Sequence, residues 1–184
     1  MSLSHESRLT LPVGERDHMQ GDSRASIVLV EYGDYECQHC AAALPIVESL
    51  QKTFGAHLCF VFRNFPLTAS HPHAQLAAEA AEAAADQGSF WDMHRALFEH
   101  QQTLRPETIS TIAGSLRLDI QRFEEALGLR SFEQKVSEDF MSGVRSGVNG
   151  TPTFFVNDRR YDGPIDAESL EALLWETLSG HAIP

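Results

Sequence analysis

The first continuous apolar run is Ile27-Val28-Leu29-Val30, carried on through Glu31-Tyr32 to Gly33. Its β-branched content predicts a buried strand. From Cys37 to Phe54 the apolar residues Leu44, Val47 and Leu50 fall at helical spacing, and the pattern stops at Gly55. Leu58 to Phe65 is a second apolar run, closed by Pro66. Strand, helix and strand in this order form a βαβ unit, whose two strands are expected to be parallel. Upstream, Arg8 to Pro12 could form a short strand, followed by a turn-rich stretch with Gly14 and Gly21.

After Pro66 the pattern turns wholly helical. One helix is predicted from about Pro72 through an Ala-rich run to Asp86, ended by Gly88. Phe90, Met93 and Leu97 mark the next, and Ile109, Ile112, Ala113 and Leu116 a third that starts near Pro106. Asp119 is placed to cap a short helix bearing Ile120, Phe123 and Leu127, and Phe132, Val136 and Phe140 mark one more, fading near Gly147. Trp91, Met93, Phe98 and Phe140 read as core, whereas Glu79, Glu82 and Asp86 read as a solvated helix face. Strands then return. Thr153–Val156 and Arg160–Tyr161 flank Asn157-Asp158 as a hairpin, and Leu170, Leu173, Leu174 and Leu178 close the chain with an amphipathic helix. The pattern is a small α/β sheet interrupted by a helical block.

The chain has 184 residues, 42% hydrophobic and 22% charged, which is enough to bury a core without disulfide staples. Its 26 carboxylates against 14 Lys and Arg leave a formal net charge of −12, without the basic footprint that a nucleic-acid partner requires. No apolar run approaches the ~18 residues of a membrane span. The first 26 residues lack the apolar core of a signal peptide, so the cytoplasm is the expected compartment, with a periplasm as the alternative if a leader has been removed.

Two of the three cysteines are spaced Cys37-Gln38-His39-Cys40. At a helix start this spacing puts them one turn apart, within reach of a disulfide. Cys37 then lies among first-turn N–H groups that favour an anion, and Cys40 a turn deeper, so Cys37 is the expected attacking thiolate and Cys40 the resolving thiol. His39 can add a hydrogen bond or positive charge to the thiolate, while Asp34 and Glu36 oppose it. A half zinc site is the competing reading, with Cys59 and His57 as the residues to complete it. A helix of this length carries the chain back ~25 Å before Cys59, which places Cys59 at the far end of the sheet as a buried core thiol.

Four further features resemble the thioredoxin superfamily: Glu31 six residues before Cys37, Pro45 eight residues after it, Thr151-Pro152 leading into the strand Thr153–Val156, and the helical insertion before that proline. The stretch Tyr32-Gly33-Asp34-Tyr35-Glu36-Cys37-Gln38-His39-Cys40 is similar to the signature of DsbA-like disulfide oxidoreductases, with Gln38 in place of the usual proline. Arg63-Asn64-Phe65-Pro66-Leu67, His71-Pro72 and Gly88-Ser89-Phe90-Trp91 extend the match. The resemblance implies a thioredoxin-like α/β fold with an all-helical insertion between the βαβ half and the C-terminal ββα half. Residues 8–66 and 148–184 would form the thioredoxin-like domain and residues 67–147 the insertion. It also implies that Glu31 relays a proton for Cys40, and that the Thr151–Pro152 bond is cis, faces Cys37 and lets Thr151 pair with an extended substrate. Pro45 would kink the helix. Phe65 and His71 would rim the cleft at the same strand end as Cys37, a capping or packing role standing beside this for His71. A water-facing edge position is the other reading for Glu31.

The leading expectation is a thiol–disulfide oxidoreductase with no organic cofactor and no metal, acting on cysteine-containing proteins or peptides together with a redox partner. It would have no nucleic-acid or membrane partner. A glutathione-linked transferase or isomerase on the same fold, and a zinc-binding or chaperone-like module, are the alternatives.

Overall fold

A computed structural model of the chain describes residues 7–180. The last four residues of the C-terminal segment assigned above, 181–184, lie outside it, as does the start of the N-terminal arm, residues 1–6. The strands are β1 (His18–Gln20), β2 (Ile27–Gly33), β3 (Leu58–Asn64), β4 (Thr153–Val156) and β5 (Arg159–Tyr161). The helices are α1 (Gln38–Phe54), α2 (Ala74–Ala85), α3 (Phe90–Glu99), α4 (Pro106–Ser115), α5 (Ile120–Gly128), α6 (Glu133–Arg145) and α7 (Ala167–Leu178). The five strands form one sheet in the order β1-β3-β2-β4-β5.

Two compact units share the chain. The first runs to Tyr32 and resumes with Ala42–Arg63 and the residues from Ser142 onward. In it, β2 lies at the centre of the sheet beside β3, to which α1 connects it, and pairs antiparallel with β4, Glu31 opposite Phe154. β3 is buried along its whole length, as its uninterrupted apolar run requires. β4 and β5 form the expected hairpin. Asn157 and Asp158 both take positive φ, 46° and 74°, which the two-residue turn demands and which short polar side chains tolerate. The short β1 was not foreseen; it pairs antiparallel with β3, His18 opposite Phe62. The strand expected at Arg8–Pro12 is reduced to a single bridge between Arg8 and Arg159. This arm is held mainly by side chains. Arg63, fully buried, donates from Nε and Nη2 to the two oxygens of Asp17 at 2.8 and 3.0 Å, and from Nη1 to the Leu11 carbonyl and the Tyr32 hydroxyl. Ion pairing with Asp17 and the Tyr32 contact outweigh burial and raise the Arg63 pKa further.

The second unit is Gly33–Ala41 with Asn64–Met141. The Ala-rich α2 is its centre, packed against α3, α4 and α5, and alanine is what lets three helices approach one helix closely. Asp119 caps α5 by accepting the Arg122 N–H. Met93 and Phe98 are buried as expected, but Trp91 and Phe140 are only half-buried. The acidic face of α2 is a correction. Glu79 and Glu82 are buried, because the turn between α5 and α6, α6 itself and the end of β3 bring partners to them. Glu82 accepts from Asn64 at 2.7 Å and lies 3.6 Å from Lys135. Glu79 pairs with Arg130 at 2.9 Å, and Lys135 also reaches the fully buried Asp139 at 2.6 Å. Burial outweighs Lys135 there and raises the Asp139 pKa. Only Asp86 keeps a partly solvated position, paired with Arg122.

Candidate active site

Residues 34–40 turn from β2 into α1, and their hydrogen bonds converge on Asp34. The Cys37 N–H donates to the Asp34 carbonyl at 3.1 Å, and the Cys37 carbonyl accepts the Ala41 N–H at 3.1 Å. Cys37 thus stands just ahead of α1, where unpaired N–H groups and the helix dipole favour a thiolate. Cys40 lies one turn inside, and its Sγ accepts the Asp34 N–H at 3.4 Å. Cys37 is 6% exposed and Cys40 1%, so Cys37 is the more exposed of the two residues. Both are free thiols, as is Cys59. The side-chain amide of Gln101 donates to the Tyr35 and Cys37 carbonyls at 2.8 and 2.9 Å, tying the turn to the short helical segment Gln101–Thr103. Sequence reasoning missed this residue, because an isolated glutamine sixty-four positions away carries no motif.

The two carboxylates expected to oppose the thiolate each have a histidine partner. Asp34 is buried; its Oδ1 accepts the Glu36 N–H, and its Oδ2 accepts the Leu67 N–H at 2.7 Å and meets His71 Nδ1 at 2.8 Å. Glu36 accepts the His73 N–H and meets His73 Nδ1 at 3.1 Å. Burial works against a charged His71. The hydrogen bond and charge of Asp34, with Cys37 and Glu36 beyond, nevertheless hold its pKa above the ordinary value.

The second unit therefore brings together Cys37, Cys40 and His71, with Asp34, Glu36 and Gln101 around them. His39 is also there, but it is exposed and makes no hydrogen bond or ion pair among the described residues. Phe65, expected on the cleft rim, also lies in this unit. It is buried and stacked on Phe140 at 4.3 Å between ring centroids, and its N–H donates to the carbonyl of Gly33 at the end of β2. Glu31, Thr151 and Pro152 belong to the first unit. Glu31 is buried in the central strand, which removes the water-facing edge reading. The Thr151–Pro152 peptide bond is cis. Pro45 lies within α1, where it deletes one helical N–H. Cys59 is fully buried, and burial, with Asp22 and Asp17 nearby, raises its pKa, as for an inert core thiol. Among the described residues no group of three or more His, Cys, Asp or Glu side chains is arranged to hold a metal ion.

Comparison with known proteins agrees with this architecture. A family model described as thioredoxin matches residues 14–176. The chain is 46% identical over 173 residues to a Na+/H+ antiporter NhaA 1 of Salinispora arenicola, covering 94% of this chain and 26% of that protein. It is 41% identical over 160 residues to an NhaA of Herminiimonas arsenicoxydans, covering 87% of this chain and 25% of that protein. It thus spans about a quarter of the length of these relatives. No helix among the described residues is long and apolar enough to cross a membrane. Among solved structures, BdbD from Bacillus subtilis superposes with a TM-score of 0.83 at 26% identity, covering 95% of this chain and 98% of that one. The thiol-disulfide exchange protein alpha-DsbA2 from Wolbachia pipientis shares the fold, with a TM-score of 0.76 at 23% identity and coverage of 88% and 87%. From the match across most of its length, the chain belongs to the thioredoxin family.

Proposed function

We propose that the chain is a thiol–disulfide oxidoreductase working through Cys37 and Cys40. In the reducing direction the Cys37 thiolate attacks a substrate disulfide. One S–S bond breaks, a Cys37–substrate disulfide forms, and the departing thiolate takes a proton. Cys40, deprotonated by Glu31, then attacks the Cys37 sulfur and expels the second substrate thiolate. The substrate leaves with two thiols and the protein with a Cys37–Cys40 disulfide, which a redox partner reduces. Run in reverse, the same steps oxidise a substrate dithiol.

The observation that carries this reading is the inequality of the two sulfurs on α1. Cys37 stands at the helix start as the more exposed residue, and Cys40 lies deeper under the Asp34 N–H. The Glu31 role rests on its burial in an apolar strand, where a carboxylate is costly without a task. Thr151 and Pro152 are proposed to receive an extended substrate through main-chain groups, which gives affinity with broad sequence tolerance. His39, exposed within the motif, is proposed to add a hydrogen bond or positive charge to the Cys37 thiolate. Substrates are cysteine-containing proteins or peptides. The compartment sets the direction. In a reducing compartment the pair is held reduced and acts as a reductant, whereas in an oxidising compartment it acts as an oxidant.

The test is trapping. Cys40→Ser should accumulate mixed disulfides with a disulfide-bearing protein on non-reducing gels, because attack survives while resolution is lost. Cys37→Ser should accumulate few or none, and equal trapping by both variants would overturn the roles.

A further inference from the structure

The charge on Cys37 has more than one source. The helix start favours its thiolate, but Asp34, buried and one carbonyl away, and Glu36, its chain neighbour, place two negative groups beside it. Left uncompensated, they would raise the thiol pKa and weaken the nucleophile. The histidine inside the motif is poorly placed to offset them, since His39 is exposed and bonded to neither carboxylate. The segment 71–73 is placed to do so. His71 Nδ1 lies 2.8 Å from Asp34 Oδ2, and His73 Nδ1 lies 3.1 Å from Glu36 Oε1. His71 is three-quarters buried, so its interaction with Asp34 acts through a medium that screens it less than water does.

We propose that His71, held by Asp34, is a positioning residue for the Cys37 thiolate: as a cation it cancels the Asp34 charge and stabilises the sulfur anion, which His39 in the motif does only weakly. This rests on Cys37 being the attacking thiolate. Asp34 is the hub of the arrangement. Its carbonyl accepts the Cys37 N–H, its N–H donates to Cys40 Sγ, and its carboxylate bonds to His71 and to the Leu67 N–H. The charged groups acting on His71 are Asp34, Cys37 and Glu36, all from the turn it packs against. Each favours the imidazolium, so the reduced protein keeps His71 protonated to higher pH than a free histidine. The cation and the thiolate support each other. Stabilising the thiolate stabilises the reduced form and makes the dithiol pair more oxidising.

The geometry allows a clean separation of charge from tether. The contact is made by Nδ1, the ring atom that an asparagine amide nitrogen can replace. His71→Asn therefore keeps the hydrogen bond to Asp34 and removes the charge, whereas His71→Lys keeps a charge. The experiment measures thiolate absorbance of the reduced full chain against pH, together with the equilibrium potential against glutathione. His71→Asn should raise the Cys37 pKa enough to lower the thiolate fraction at pH 6 by about tenfold, which is roughly 30 mV for a two-electron couple. His71→Lys should stay near the wild-type value, and His39→Asn should give a smaller shift than His71→Asn. A Cys37 pKa in His71→Asn equal to the wild type, or larger in His39→Asn, would overturn the proposal while leaving the dithiol reading intact. An absorbance step that survives Cys37→Ser would overturn the dithiol reading itself.

Discussion

Asp17→Ala should destabilise the protein by about 3–5 kcal/mol, the range found when one member of a buried ion pair is deleted. The magnitude follows from the burial of Arg63. Both side chains of the pair have no exposed surface, and the guanidinium makes two bonds to Asp17 at 2.8 and 3.0 Å. Its other N–H groups go to neutral partners, the Leu11 and Pro12 carbonyls and the Tyr32 hydroxyl, none of which balances the charge. An arginine guanidinium keeps its proton at any accessible pH, so losing the aspartate leaves a buried cation without a counter-ion. For a chain of this size, about 2–4 °C of melting temperature per kcal/mol puts the expected drop at about 10 °C. Urea unfolding followed by circular dichroism, with the cysteines kept reduced, gives the free energy directly. The double variant Asp17→Leu with Arg63→Met should recover most of the loss, since an apolar pair of similar volume commonly matches a buried ion pair. A loss below about 1 kcal/mol for Asp17→Ala, or equal losses for the single and double variants, would refute the argument from an uncompensated charge.

Two further outcomes follow from buried carboxylates. Glu31→Gln should slow resolution of a Cys37 mixed disulfide severalfold in stopped-flow mixing while leaving the attack step near its wild-type rate; an unchanged resolution rate would leave Glu31 a structural residue. Asp139 has its pKa raised in the folded state, so the stability it contributes is present below the ordinary carboxylate range, about 3.9, and is lost as pH rises through the raised folded value. Urea midpoints of Asp139→Asn between pH 4 and 8 should therefore fall less steeply with pH than those of the wild type, and parallel profiles would contradict this sign.

The sequence revealed the elements more readily than the partners of its charged residues. The run Ile27–Tyr32, the helix ending at Gly55 and the Asn157-Asp158 turn were legible because a local period or a turn residue decides each of them. β1 was not legible: His18–Gln20 has no apolar alternation, and its pairing with β3 depends on a partner about forty residues away. Glu79 and Glu82 were misread as solvated because helical spacing locates a face but not what covers it. Asn64, Lys135 and Arg130 reach them only in three dimensions. The dithiol itself could be read from four residues. The histidine partners of Asp34 and Glu36, and the Gln101 clamp on the Cys37 carbonyl, could not, because each joins segments separated by about 35 residues or more.

Competitive alkylation tests the central claim, that Cys37 alone is the working nucleophile, most directly. Brief exposure of the reduced native protein to iodoacetamide at neutral pH, followed by peptide mapping, should place the label on Cys37, the more exposed residue of the pair at the start of α1, well before Cys40 or the fully buried Cys59. Label appearing first on Cys40 or Cys59, or on all three at comparable rates, would contradict the account.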